Sequence, residues 1–396
     1  MSARSRKSKP ASVPLAGCRK PHLLMEPLSA RCDKNCLLSF SSPPLGEIAQ
    51  RVSRLRKVFF RSLLGVVVLA VSACKPQVKY PLDTLAPTSD LTKSIYDLFV
   101  EVTVLDIIVL IVVVGALFLG MLVFSTRTGG PREPSVKHSD MYLEMAWTII
   151  PALILLAITV PTVRVIIQTQ PYSWPKNTLP VEVIAHQWWW EFYYPTLGVE
   201  TADEVHIPTG QTIHFQLFSK DVIHSFFMPQ VGGKRDVIPG QENQITLIAQ
   251  VPGEYYGQCT EFCGDSHANM RFRMFVETPA DFQQWVRHQL EPPVKRADGP
   301  AAAGAKIFAD APCAICHTIR GVSGFSKQYT YGFRGPDLTH FGSRSTLAGS
   351  IMDNTPQNVA MWIRNPDEVK PGANMPTLGL GGAEMNELVA YLESLK

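Results

Sequence analysis

The chain has 396 residues, enough for two or three domains, and 46% of them are hydrophobic. Its formal charge of +3 hides an asymmetry: the first 73 residues hold 13 Lys/Arg against 3 Asp/Glu, leaving 24 basic and 31 acidic residues, a net −7. That balance excludes nucleic acid as a partner for the remainder and fits a basic protein partner.

Residues 1–50 show no periodicity and no apolar run, and read as a disordered tail or as translation from too early a start. Arg51, Arg54, Arg56, Lys57 and Arg61 then form a basic region ahead of the apolar run Leu63–Ala73, which has signal-peptide length and is too short to span a bilayer. We therefore take 1–73 as a leader. Its end, Val71-Ser-Ala-Cys74, resembles a bacterial lipoprotein cleavage box, which would make Cys74 a lipid attachment site at the head of an exported segment, 74–97. The alternative is an ordinary signal followed by a chance cysteine.

Residues 98–168 read as a transmembrane hairpin. The first helix runs from Leu98 to Phe124, and from Ile107 it holds 18 residues without a charge. Glu101 and Asp106 near its start are expected to face protein or water. Gly129-Gly130-Pro131 breaks the chain, and a second helix follows from about Met145 to Gln168 with Pro151 and Pro161 inside it. Lys/Arg counts orient the hairpin poorly. The exported Cys74 and the motif at Cys313 place both ends outside the cytoplasm.

From 169 to 291 the pattern becomes β. Gln211–Leu217 alternates with Ile213, Phe215 and Leu217 on one face, and Arg271–Val276 with Phe272, Met274 and Val276 on one face. Pro-Gly pairs at 239–240 and 252–253 mark turns. Short strands at this spacing predict a β-sandwich or barrel, closed by a helix over Asp281–Leu290. Residues 292–300 read as a linker. The last stretch, 301–396, is small and helical, with its clearest helices at Ala302–Phe308 and Glu384–Leu395. Its core is thin enough to need a cofactor.

Two constellations carry chemistry. Cys259-Thr-Glu-Phe-Cys-Gly-Asp-Ser-His-Ala-Asn-Met270 gathers two thiols, an imidazole and a thioether in one loop, and His224 supplies a further ligand from an upstream strand end. Soft sulfur and imidazole donors select copper over magnesium or calcium. Two thiolates can bridge two metals and spread one electron over both. A zinc site and a Cys259–Cys263 disulfide are the alternatives. The second constellation is Cys313-Ala-Ile-Cys316-His317, with the thiols placed for thioethers to haem vinyls and the histidine for proximal ligation. A redox dithiol is the alternative. Met352, Met361, Met375 and Met385 compete for the sixth position. Met375, in the Pro/Gly-rich loop Gly372-Ala-Asn-Met-Pro376, is preferred, with His340 as runner-up.

The set His224, Cys259-x-Glu261-x-Cys263-x-x-x-His267-x-x-Met270 closely resembles the binuclear copper A centre of the cytochrome c oxidase subunit 2 family. Asp221–Pro229, Val231–Gly240 and Ala185-His-Gln-Trp-Trp-Trp-Glu-Phe-Tyr-Tyr-Pro195 also resemble that family's segments, and Met375-Pro376 resembles the Met-Pro of class I cytochromes c. The resemblance covers about 90–396 and implies a multi-domain chain: the two-helix hairpin, an all-β cupredoxin-like copper A domain, and an all-α class I cytochrome c domain, as in bacterial caa-type haem-copper oxidases. It implies that Glu261 gives copper its backbone carbonyl and a shared magnesium its side chain. It also implies that Trp188 accepts incoming electrons, with one of Trp188–Trp190 exposed and the others packed. Glu144 would sit at the mouth of a proton channel in the catalytic subunit, or else be a solvated helix-start acid.

The implied partners are catalytic subunit 1, other oxidase subunits, a cytochrome c or similar donor, and the membrane. The implied location is the bacterial inner membrane, with both soluble domains on the outer side. The implied activity is that of the oxidase complex, oxygen being reduced to water with proton translocation, while this chain transfers electrons. A nitric oxide reductase using the same copper module and a quinol-oxidase-like subunit with a structural β-domain are the rival readings.

Overall fold

The structure is a computed structural model that describes residues 81–125, 139–169, 176–293, 298–322 and 334–396. The leader and Cys74 lie outside the described residues.

Helices α1 (Asp90–Ser125) and α2 (Met141–Thr169) are long and apolar enough to cross a membrane. Their large apolar side chains stand exposed, from Ile107 to Met121 on α1 and from Leu153 to Ile167 on α2. α1 begins eight residues before the apolar run, because its first turn is held by the β-domain rather than by lipid. Ser89 Oγ donates to the Val231 carbonyl, and Asp90 Oδ1 accepts from the Ile248 amide at 2.7 Å.

The next ten strands are β1 (Leu179–His186), β2 (Trp189–Tyr194), β3 (Val199–Ala202), β4 (Glu204–Pro208), β5 (Thr212–Ser219), β6 (His224–Met228), β7 (Gly233–Val237), β8 (Asn243–Ile248), β9 (Gly253–Cys259) and β10 (Arg271–Glu277). They form two five-stranded sheets, ordered β3-β2-β1-β5-β8 and β4-β10-β9-β6-β7. The expected inward faces are the observed ones. Ile213, Phe215 and Leu217 of β5 and Phe272, Met274 and Val276 of β10 are buried, with Trp190, Phe192 and Phe226, between the sheets. Helix α3 (Pro279–Leu290) closes the sandwich. It starts earlier than the apolar pattern suggests because Thr278 caps it and Pro279 occupies its first turn.

The C-terminal region is helical: α4 (Gly299–Asp310), α5 (Cys313–Cys316), α6 (Pro356–Arg364), α7 (Pro366–Val369) and α8 (Gly382–Ser394), with one two-stranded ribbon, β11 (Thr346–Leu347) and β12 (Met352–Asp353). Phe308, Val359, Ile363, Leu388 and Leu392 form its small core.

Candidate metal centres

The loop between β9 and β10 brings the sulfur ligands together, and β6 presents its first residue beside them. Cys259 Sγ lies 3.7 Å from Cys263 Sγ, well beyond the ~2.05 Å of a disulfide. His224 Nδ1 is 3.9 Å from Cys259 Sγ, His267 Nδ1 is 3.5 Å from Cys263 Sγ, and Met270 Sδ is 4.0 Å from Cys263 Sγ. The Cys259 thiol donates to the Glu261 carbonyl at 3.2 Å. All six residues expected at this site therefore converge. Cys259, Cys263, Met270 and His224 are buried, so water is largely excluded. Two thiols, two imidazoles, a thioether and a carbonyl make a soft donor set, and that set fits two copper ions.

The electrostatics favour a metal. The hydrogen bond shared by the two thiols, helped by His224, holds Cys259 well below the usual thiol range, while the same bond and burial push Cys263 up. One proton leaves readily, and a metal must displace the second. His224 Nε2 meets Asp221 Oδ1 at 2.7 Å, which turns Nδ1 toward the thiols. Sequence reading gave Asp221 no role, although its position three residues before His224 is a usable signal.

The second centre is a cavity of about 670 Å³ whose lining includes Cys313, Cys316, His317, Met375 and Trp188. Its size falls in the usual range for a bound cofactor. His317 Nδ1 donates to the Pro336 carbonyl at 2.8 Å, a contact that assigns iron ligation to Nε2. Burial lowers the histidine's pKa and keeps it neutral, as ligation requires. Gly335 packs against the ring so closely that a Cβ there would lie 2.5 Å from His317 Cε1. These features fit a haem attached at Cys313 and Cys316. Of the four methionines weighed, Met375 lines the cavity, Met385 lies in the core and Met361 is half exposed. His340 does not line the cavity, and its Nε2 meets the Glu291 carbonyl at 3.1 Å.

One expectation is overturned. Trp188, Trp189 and Trp190 are all buried, none more than 9% exposed. Trp190 is core, as alternation requires. Trp188 is covered because the C-terminal region packs over it: Lys370 donates to its carbonyl and Gly372 lies against its ring. Its indole Nε1 donates to the Cys263 carbonyl at 2.9 Å. The residue thus touches the copper loop on one side and lines the haem cavity on the other. Glu261 keeps its carboxylate half exposed, 4.0 Å from Lys234 Nζ. Glu144 lies in the first turn of α2.

Comparison with known proteins agrees with this arrangement. Residues 82–165 match the family described as cytochrome c oxidase subunit II, transmembrane domain, 196–276 match its periplasmic domain, and 301–396 match cytochrome c. The cytochrome c oxidase subunit 2 of Alkalihalophilus pseudofirmus is 32% identical over 338 residues, covering 84% of this chain and 96% of that one. The Bacillus subtilis protein of the same name is 33% identical over 351 residues, with the same coverage of each. The crystal structure of the periplasmic domain of subunit II of Bradyrhizobium japonicum cytochrome oxidase is 32% identical and covers 29% of this chain and 95% of that one, with a TM-score of 0.28. A membrane hairpin, a cupredoxin-like sandwich holding a soft-metal loop and a haem-attachment motif thus stand in the order these matches run, and the chain belongs to the cytochrome c oxidase subunit 2 family, in a form with a cytochrome c domain at its C-terminal end.

Proposed function

We propose that this chain is the electron-accepting subunit of a terminal cytochrome c oxidase, and that it lies in a bacterial inner membrane with both soluble domains on the outer face. When bound, a haem c and a binuclear copper A centre supply one-electron redox chemistry that links a reduced donor to a catalytic subunit reducing oxygen to water with proton translocation. The chain's own residues do the rest. Cys313 and Cys316 would hold the haem covalently, and His317 and Met375 would supply its iron ligands. His224, Cys259, Glu261, Cys263, His267 and Met270 would hold the copper pair, with Asp221 fixing the tautomer of His224. The burial of His224, Cys259, Cys263 and Met270 keeps water from these ligands. Trp188 bridges the two sites. The half-exposed side chain of Glu261 would share a magnesium with the catalytic subunit. Glu144 stands at the mouth of that subunit's proton channel.

The observation that carries this reading is the indole of Trp188, hydrogen-bonded to the copper loop while lining the haem cavity. The test is co-purification of the chain with its membrane partners, followed by haem extraction, a visible spectrum and gas uptake. A purple two-copper absorption, covalent haem c and oxygen consumption are expected. A single zinc in place of copper, or nitric oxide consumption without oxygen uptake, would overturn the reading.

A further inference from the structure

Lys370 caps the end of α7, and its side chain is only 4% exposed. Its ammonium donates to the Trp188 carbonyl and, at 2.9 Å, to the Ala348 carbonyl. Among the described residues no carboxylate lies within ion-pair distance of it, although Asp203 and Cys263 attract it from further away. Gly349 closes over it, and a Cβ there would lie 2.3 Å from Lys370 Nζ and 3.2 Å from the Trp188 carbonyl oxygen. Desolvating an ammonium without a paired carboxylate is costly. Burial pushes this one down to about 8, so it is still charged at neutral pH.

The residues after it continue along the same path. The Pro371 carbonyl accepts from Ser266 Oγ at 2.7 Å, within the copper loop. Gly372 lies on the Trp188 ring, and Asn374 Nδ2 donates to the Gln187 carbonyl at 3.3 Å. Met375 then lines the haem cavity. One strap of six residues runs from the copper loop, over Trp188, to the haem cavity.

We propose that Lys370 is a positioning residue that holds Trp188 in place between the haem and copper sites and raises the potential of the copper site. This rests on the reading above that Trp188 lies on the electron route. Each transfer moves one electron from the haem site to the copper site, while Trp188 and Lys370 gain and lose neither electron nor proton. A fixed positive charge beside the copper loop favours the state in which that site holds the extra electron, which raises its potential.

The test uses the full chain in its oxidase complex, with Lys370→Met, Lys370→Gln, Lys370→Arg and Trp188→Phe. Haem-to-copper transfer is timed after flash injection of an electron, and the copper midpoint potential is measured by titration. Lys370→Met should slow transfer about tenfold or more, since a displaced bridging group costs rate steeply. It should also lower the copper potential at unchanged copper and haem content. Lys370→Arg should restore the potential. If the methionine variant loses copper or haem, Lys370→Gln, neutral but polar, takes its place, and a lowered potential is expected there too. Wild-type rate and potential in the neutral variants, with Trp188→Phe slow, would sink the role of Lys370 and leave the Trp188 route standing. Wild-type rates in all variants would overturn that route as well.

Discussion

Asp221 fixes His224 through a 2.7 Å contact and also accepts from the Gln187 amide at 2.6 Å. Its hydrogen bond reaches one expected copper ligand, His224, while its charge also helps to hold the Cys263 thiol up. Asp221→Asn should weaken copper binding about 10- to 100-fold, the usual cost of losing a carboxylate behind a ligating histidine. Competition titration against a chelator measures it, and unchanged affinity would show that the loop alone orients His224. Gly335 is the matching residue on the haem side. Gly335→Ala would drive a Cβ into the His317 ring and displace it. Mass spectrometry should still find haem attached through Cys313 and Cys316, while the visible spectrum loses its low-spin form. At this scale the ligands were legible because their spacing is local: five of the six copper positions lie within twelve residues. Asp221, Pro336 and Lys370 were not, since their roles depend on contacts across the fold or through the backbone, which spacing does not encode. The exposure expected of one tryptophan among Trp188–Trp190 was misjudged for the same reason. Alternation along β1 and β2 says which side faces the sandwich, and nothing about a second domain lying on the other side.

The elements were legible wherever one face is apolar and the other is not. β5 and β10 alternate cleanly, and both membrane helices announce themselves by length. Helix starts were read late. α3 and α4 both begin at a capping position followed by proline in the first turn, a composition that resembles a linker until the cap is seen. Gly299-Pro300, expected to be linker, forms the first turn of α4. The packing of α4 on α8 then depends on one small residue. A Cβ on Gly304 would lie 2.0 Å from the Glu387 carbonyl oxygen and 2.8 Å from Tyr391 Cβ. The obstacle is backbone, which cannot rotate away. Gly304→Ala should therefore separate the terminal helices of the haem domain and destabilise it by about 1–3 kcal/mol, the usual cost of overpacking. A calorimetric melt of the full chain should show the haem-domain transition falling while that of the sandwich stays put. A shift of both together would mean that the two regions unfold as one unit.

At the scale of the whole molecule, several polar contacts among the described residues hold the cytochrome region on the sandwich. Glu204 Oε1 accepts from the Ser345 amide at 2.8 Å and the Thr346 amide at 3.0 Å, and Ser350 Oγ donates to the Asp203 carbonyl at 3.1 Å. Arg334 is clamped between two carboxylates, with NH1 3.0 Å from Glu191 Oε1 and NH2 on Glu200. Such an interface should respond to pH, and Glu200 sets the direction. Burial, reinforced by the charge of Glu191 and opposed by Arg334, pushes its carboxyl up to about 7 from an ordinary 4.5. Because the folded value is the higher one, the folded state binds the proton more tightly. The stability this contributes is complete below the unfolded value and is lost as pH rises through about 7. The slope is at most about 1.4 kcal/mol per pH unit. Docking should therefore loosen between about pH 5 and pH 8. Glu200→Gln removes the titrating group while leaving Arg334 an acceptor, so its melting temperature should vary less over that window than the wild type's. Paired melts of the two proteins at both pH values decide it: parallel shifts would place the pH sensitivity elsewhere. A flatter profile in the variant would mean that the fused haem is held most firmly on its acidic side of neutrality, where a proton stands in for the cation that Glu200 cannot fully share.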